Sequence, residues 1–210
     1  MLRFHPRLVL LAIVLILFGG LTSPATAQEA TPGTGSDRAA FVPAPDECLA
    51  TPLTPEDIEV LLTAAPAGLP ASPVASGGPF VAPDGEPADP GTAVAVTAVI
   101  RESWACLNGG NWAGFMAYLT EDEVLQNFAP EDITGLTGQP VSPLPDAEQT
   151  AVYAILDVEV LPDGRVGAFV VVDTGGDPLP VEINYQIATE TDDGWLLDDF
   201  ICFSATGDLC

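Results

Sequence analysis

Helical spacing of apolar residues marks the middle of the chain. Between residues 94 and 107 the apolar residues form a stripe along one face of a predicted helix, and Trp104 lies beside this stripe. The sequence Asn108-Gly109-Gly110 is expected to end this helix, and Asn111 to cap the next one. Thr120 and Glu123 form a capping-box pattern that opens a third short helix, and a fourth is predicted over 130–136. The predicted stripe comprises Val96, Val99, Ile100, Ser103 and Leu107.

Alternation replaces helical spacing from residue 152 onward and is typical of strands. Asp163-Gly164 predicts a two-residue hairpin turn that sets Leu161 opposite Val166 and Glu159 opposite Ala168. One face of this hairpin is then wholly apolar, and we expect it beneath the helices: Val152, Ala154, Leu156, Val158, Val160, Phe169 and Val171. The other face is mixed and half exposed: Tyr153, Ile155, Asp157, Glu159, Val166, Ala168, Val170 and Val172.

The last hairpin joins 181–189 to 195–203. A three-residue loop, Asp192-Asp193-Gly194, would bring the apolar positions of both strands to one face, where Asp199 lies opposite Ile187. We therefore expect both hairpins to direct their apolar side chains into one concavity, with Trp195 and Phe169 on the same side of the sheet. The apolar positions of this hairpin are Val181, Ile183, Tyr185, Ile187, Trp195, Leu197, Ile201 and Phe203.

The N-terminus has the features of a secretory signal. Arg3 and Arg7 precede the apolar run 8–18, and the small residues 25–27 follow it. The run is shorter than a membrane span requires, so we expect cleavage after Ala27, a secreted or extracytoplasmic protein and no stable membrane span; an uncleaved anchor is the alternative. Residues 28–91 are expected to form a disordered arm with a short helix near 55–64 and a Pro/Gly-rich linker. The folded domain is predicted over 92–210.

Charge and composition exclude several functions. The chain has 30 acidic residues against 5 arginines, no lysine, and one histidine, His5, which lies inside the predicted signal. Such a surface repels phosphate, so we expect no nucleic-acid partner. Without His or Lys the mature chain lacks a His-activated nucleophile and a Schiff-base lysine. No metal-ligand spacing is present, and we expect no metal and no cofactor.

Four cysteines lie in the part of the chain predicted to be exported. An even number in an oxidising compartment indicates two disulfides, for which three connectivities exist. We predict Cys48–Cys106, which would join the arm to the first long helix, and Cys202–Cys210, which would close a short C-terminal loop.

Helices followed by hairpins predict an α+β fold. The segments "VIRESWACLNGGNWAGFMAYLTEDEV" and "GWLLDDF" resemble the nuclear transport factor 2-like (SnoaL-like) superfamily, over roughly 92–203. The resemblance implies a cystatin-like cone, in which a curved antiparallel sheet wraps around two to four helices and often leaves a pocket. These segments are structural and carry no catalytic motif.

The resemblance and the register together give the candidate site. The candidate pocket residues are Trp104, Met116, Phe169, Tyr185, Trp195 and Asp199. Asp199 could act as a general base with Tyr185 or Tyr118 as a donor, as in isomerases of the family; otherwise it lies hydrated, or bonded to backbone amides, at the mouth of the cone.

Three functions stay open at this point. We predict a secreted, non-enzymatic domain that binds a small apolar molecule or a protein partner. The alternatives are an isomerase- or cyclase-like enzyme and a structural module of the cell envelope. A homodimer could form through the outer sheet face at Val166, Ala168, Val170 and Val172.

Overall fold

The computed structural model describes residues 42–64, 80–175 and 181–203, all within the unit Ser36–Cys210. Over these residues five α-helices and a five-stranded antiparallel sheet confirm the predicted α+β class. The helices are α1 (Pro55–Ala64), α2 (Pro90–Asn108), α3 (Trp112–Met116), α4 (Glu121–Asn127) and α5 (Pro130–Thr137). The strands are β1 (Glu86–Pro87), β2 (Ala151–Val160), β3 (Val166–Asp173), β4 (Glu182–Thr191) and β5 (Gly194–Phe203).

Helix α2 begins at a side-chain cap and ends at the predicted break. The carboxylate of Asp89 accepts hydrogen bonds from Gly91 N and Thr92 N, which satisfies amides that the first helical turn leaves unpaired. After Asn108 the chain turns through Gly110, whose φ is +64°. A Cβ on Gly110 would lie 2.2 Å from the carbonyl oxygen of Ser142, so only glycine fits this turn.

Asn108, the last residue of α2, also forms buried hydrogen bonds through its side chain. Its side chain is fully buried, and its Nδ2 donates to Pro43 O and Thr150 O, both at 3.0 Å. Its Oδ1 accepts from Thr150 N at 2.8 Å. One amide therefore joins α2, the segment before α1 and the start of β2, which explains a buried polar residue in the core.

Asn111 and Thr120 cap the short helices after the break, as predicted, but the reciprocal bond of the capping box, from Thr120 N to the Glu123 side chain, does not form. Asn111 Oδ1 accepts from Gly114 N at 2.9 Å, and Thr120 Oγ1 accepts from Glu123 N at 3.3 Å. The backbone N–H of Thr120 donates to Leu197 O at 2.8 Å, and Leu197 N donates to Tyr118 O at 2.7 Å. These two bonds attach the start of α4 to the edge of β5.

The sheet has the strand order β1-β2-β3-β4-β5, so each strand pairs with its neighbour in sequence. Strand β1 pairs with the end of β2 through Glu86 and Pro87, which lie inside the segment predicted as a linker. The opposite edge is β5, part of which contacts Leu119 through a parallel bridge at Leu197.

On β3 the helices cover the face opposite to the predicted one, whereas Val152 of β2 lies beneath the helices as predicted. The prediction for the β2–β3 hairpin was wrong in this respect, because both faces of β3 are apolar and alternation does not tell them apart. We call the buried cluster between helices and sheet the helix-side core. It comprises Val96, Val99, Ile100, Trp104, Cys106, Tyr118, Val152, Val166, Ala168, Val170, Val172, Ala188 and Leu197.

The proposed dimer surface is part of this core. Val166, Ala168, Val170 and Val172 are each at most 1% exposed, so they cannot form a surface for a second copy. A dimer through these four residues is therefore wrong.

The second face of the sheet is covered as well. Phe80 stacks on Phe203 with ring centroids 5.1 Å apart and contacts Tyr185 at 5.3 Å. We call this group the outer-face cluster; its buried members are Leu161, Tyr185, Ile187, Ile201 and Phe203, and Phe80, Ala82, Phe169 and Ile183 pack against them. The cover comes from a segment that sequence composition assigned to a linker.

A longer turn and two bulges explain the errors in register. The hydrogen bond from Leu161 N to Arg165 O, at 2.8 Å, closes a three-residue loop over 162–164, where a two-residue turn was predicted. In the β2–β3 hairpin Val160, not Leu161, pairs with Val166, and Glu159 pairs with Gly167. Two further shifts lie between Val152 and Ala154 and between Leu156 and Glu159, and Asp157 within the second has a φ of +50°. Each shift by one residue exchanges the two faces, so strict alternation along β2 fails.

The β4–β5 hairpin has a two-residue turn rather than the predicted three-residue loop. Thr191 pairs with Gly194, and the change of phase occurs later, at a bulge that brings Asp199 opposite Ile187 as predicted. Before the bulge Trp195 faces the helix-side core; after it Ile201 and Phe203 face the outer-face cluster. Trp195 and Phe169 consequently lie on opposite sides of the sheet, and the expectation of one shared concavity was wrong.

A disulfide ties the N-terminal segment to α2. Cys48 and Cys106 are bonded, as predicted. Cys202 also takes part in a disulfide; Cys210, its predicted partner, lies outside the described residues.

Helices α1 and α5 pack on a third cluster. Its buried members are Leu61, Met116, Val124 and Ile133. The predicted helix near 55–64 therefore has its own contacts with the folded part of the chain, through α5.

Candidate functional site

An apolar cavity of about 290 Å³ lies between α2, α3 and α4 on one side and β4 and β5 on the other. This volume is at the lower end of the range for ligand sites. Asn127 and Phe200 on its boundary are exposed to solvent. The lining residues are Ser103, Trp104, Leu107, Trp112, Phe115, Leu119, Glu123, Asn127, Phe128, Gln186, Leu197, Asp199 and Phe200.

Aromatic rings form much of the wall. Trp112, Phe115 and Phe128 contact one another edge to face, with centroids 6.2–6.5 Å apart. The ring centroids of Trp104 on α2 and Phe200 on β5 lie 6.3 Å apart, so this contact joins the helix to the sheet. Rings in these arrangements give a rigid wall with several exposed π faces and edges.

Glu123 is the first of two carboxyl groups in this wall. It is 4% exposed, although it stands in the first turn of α4. Burial raises its pKa to about 7, and the charges of Asp199 and Asp198 act in the same direction. Near neutral pH this carboxyl group is therefore partly protonated, whereas an ordinary glutamate is ionised.

Asp199 is the second carboxyl group. It is 9% exposed and follows the bulge in β5. Burial raises its pKa, while a hydrogen bond from Phe200 N to Oδ1, at 2.8 Å, acts in the opposite direction, as does the charge of Arg165. Asp199 therefore has both features that were expected as alternatives: a hydrogen bond from a backbone amide and apolar surroundings.

Two polar atoms of the wall have no hydrogen-bond partner within the described part of the chain. Gln186, 2% exposed, has an unpaired Oε1, and Trp104, 8% exposed, has an unpaired Nε1–H. Asn184 lies two residues before Gln186 on the same face of β4, and its buried side-chain amide is also unpaired. Buried polar groups are nearly always bonded, so this region is suited to a polar group from another molecule.

The cavity holds two of the predicted pocket residues, Trp104 and Asp199. Trp195 packs against the helix-side core but does not line the cavity, and Met116 belongs to the cluster beneath α1 and α5. Phe169 and Tyr185 lie in the outer-face cluster. The six candidates are thus divided among four places.

Neither tyrosine proposed as a partner of Asp199 lines the cavity. The Tyr118 hydroxyl donates to Glu102 Oε2 at 2.5 Å, and burial together with that carboxylate raises the pKa of Tyr118. Tyr185 lies against Gly167 on the other face, where an added Cβ would be 1.9 Å from its hydroxyl oxygen. A pairing of Asp199 with either phenol has no support here.

Sequence reasoning missed Glu123 and most of the aromatic wall. Glu123 was interpreted as the glutamate of a capping box, which bonds the backbone amide of the capping residue. That amide, Thr120 N, donates to Leu197 O instead. No signal in the sequence separates Glu123 from the preceding acids Glu121 and Asp122, which are exposed. The missed aromatic residues are Trp112, Phe115, Phe128 and Phe200.

Among the residues that the structure describes, no group of three or more His, Cys, Asp or Glu side chains could hold a metal ion. Over the same ranges, none of the helices is both long and apolar enough to cross a bilayer.

No family model, curated protein or solved structure matches the chain. The class that the fold defines is therefore the coarse one: an α+β domain with an open five-stranded antiparallel sheet, carrying an apolar cavity between helices and sheet.

Proposed function

We propose that this protein binds a small, largely apolar molecule in the cavity between α2–α4 and β4–β5. The observation that carries the proposal is the cavity itself, about 290 Å³ with eight apolar lining residues and a few buried polar groups. Apolar walls with a small number of placed polar groups are typical of ligand sites, where the polar groups orient the ligand.

Binding in an exported protein agrees with the rest of the chain. The signal-like N-terminus, the Cys48–Cys106 disulfide and the excess of acidic residues are typical of proteins outside the cytoplasm. Export with cleavage after Ala27 is part of the proposal and is tested by N-terminal sequencing of the protein recovered from outside the cell.

The resemblance to the nuclear transport factor 2-like superfamily, with its cystatin-like cone, also stays a proposal. The order of elements, helices α2–α5 followed by four long strands, supports it. The separation of Trp195 from Phe169 counts against it, because the resemblance was drawn with both on one side. An enzyme built on Asp199 and a tyrosine is not favoured, since no tyrosine lines the cavity.

The test uses a neutral two-ring aromatic alcohol, 1-naphthalenemethanol, whose binding is measured by isothermal titration calorimetry. Ser103, a small residue of the cavity wall on α2, is replaced by leucine to fill the space. The control is Val94→Leu, which adds bulk on the exposed side of the same helix. We expect saturable binding to the wild type and to Val94→Leu, and its loss in Ser103→Leu. No saturable binding to the wild type would refute the proposal.

A further inference from the structure

The polar groups of the cavity wall are mostly acceptors. Glu123 and Asp199 present carboxyl oxygens from α4 and β5, and Gln186 presents an unpaired carbonyl oxygen from β4. Against these, Trp104 Nε1–H is the unpaired donor among the described residues of the wall. A ligand that satisfies such a wall must bring hydrogen-bond donors.

Charge restricts the ligand further. The wall contains no arginine, lysine or histidine, so nothing among its described residues neutralises the carboxyl groups. Arg165 acts on Asp199 from outside the wall, and its guanidinium is bonded to Asp163 and Asp198 at 2.8 Å each. An anionic ligand would be repelled, whereas a cation would be attracted to the two carboxylates.

The aromatic wall agrees with a cation as well. Trp104 and Trp112 are the residues whose ring faces attract a positive charge most strongly, and both line the cavity with three phenylalanines. Ammonium groups held between aromatic rings and carboxylates gain both attractions in a site from which water is largely removed.

We infer that the cavity takes a small hydrophobic amine, whose ammonium group is bound by Glu123, Asp199 and Gln186 and whose apolar body lies against the aromatic wall. The inference rests on the proposed function, because it names the class of molecule that the same cavity would bind. It does not require any covalent step.

The experiment compares two probes that differ in one group. 1-Naphthylmethylamine carries an ammonium group where 1-naphthalenemethanol carries a hydroxyl, on the same ring system. Both are titrated at pH 8 and at moderate salt, which screens the general attraction of an acidic surface for a cation. We expect the amine to bind the wild type at least about tenfold more tightly, as charge-assisted hydrogen bonds predict.

Three variants test whether the carboxyl groups of the cavity wall cause the tighter binding of the amine. Glu123→Gln and Asp199→Asn remove the two charges of the wall, and Glu121→Gln removes the same charge from an exposed position of α4. Affinity for the amine should fall about tenfold in the first two variants and stay unchanged in the third, while affinity for the alcohol stays within about twofold in all of them. Circular dichroism verifies that each variant is folded.

The outcomes separate the two proposals. If the alcohol binds and the amine binds no better, the inference about amines is wrong and the apolar site survives. If the amine preference persists in both Glu123→Gln and Asp199→Asn, it arises from the surface and the inference is again wrong. If neither probe binds, the proposed function fails and the inference fails with it.

Discussion

Glu123 on α4 and Asp199 on β5 place their carboxyl groups in the wall of one cavity, and burial together with the charge of Asp199 raises the pKa of Glu123. Two carboxyl groups in an apolar site cost stability unless a proton or a cation compensates them. Nothing in the helix or the strand alone requires this arrangement. It is the feature that distinguishes the cavity from an ordinary gap in packing.

Stability should decrease between pH 5 and pH 8 because of Glu123. Its pKa is about 7 in the folded chain, against 4.5 as its ordinary value. Between these values the folded state holds a proton that the unfolded state has lost, so the free energy of unfolding falls as pH rises. The loss is on the order of 3 kcal/mol when this window is crossed. Urea unfolding at pH 5 and pH 8 measures it.

Glu123→Gln should abolish most of that decrease, because glutamine cannot ionise. Glu121→Gln is the matched control: it removes the same charge from an exposed site on α4 and should leave the decrease in place. An equal flattening in both variants would assign the effect to repulsion over the whole acidic surface instead.

Affinity for 1-naphthylmethylamine should increase over the same pH range. An alkyl amine stays protonated from pH 5 to pH 8, while Glu123 loses its proton near pH 7. The charged groups that act on the carboxyl pair are Asp198 and Arg165. The dissociation constant of the amine should fall about tenfold across this range, and that of 1-naphthalenemethanol should stay constant. A pH-independent affinity for the amine would contradict a role for Glu123.

Gly167→Ala should destabilise the sheet, because its Cβ would lie 1.9 Å from the hydroxyl oxygen of Tyr185 and 2.5 Å from Cζ. Overpacking of this kind costs about 1–3 kcal/mol. Gly135→Ala is the matched substitution, since no atom lies within 4 Å of its added Cβ and the position is in α5. There alanine should stabilise by about 0.5–1 kcal/mol. Opposite signs in thermal unfolding are expected; two stabilising substitutions would contradict the close packing of Tyr185.

Removal of the disulfide by Cys48→Ala with Cys106→Ala should cost about 4 kcal/mol, because the bond joins residues 58 positions apart. Arg101→Ala is a useful comparison. It breaks an exposed ion pair with Glu47 at 3.0 Å between the same two segments and should cost less than about 1 kcal/mol. Urea unfolding measures both; a disulfide contribution no greater than that of the ion pair would contradict a structural role for the bond.

Local sequence signals predicted the elements well. The caps at Asn111 and Thr120, the break after Asn108 and the Cys48–Cys106 pair depend on residues close in sequence or on simple chemistry. Which side chains each face of the sheet buries depends instead on segments that are distant in sequence and pack on that face. Phe80 packs on the face that alternation had placed beneath the helices, and a bulge near Asp199 changes the phase of β5.

Dependence on contacts between distant segments also limits what could be predicted for the site. Trp104 and Asp199 were identified because each stands out locally, as an aromatic residue beside a helical stripe and as an acid on an apolar face. Glu123 and Gln186 become site residues only because α4 and β4 line the same cavity. One-dimensional patterns do not contain that arrangement, so these two residues were not predictable.

The most direct test of the account is a crystal structure of the protein with 1-naphthylmethylamine bound. The account predicts the naphthalene ring in the cavity against Trp104 and Phe200, with the amine nitrogen within hydrogen-bonding distance of a carboxyl oxygen of Glu123 or Asp199. A cavity closed by side chains, or a probe bound elsewhere on the acidic surface, would contradict it.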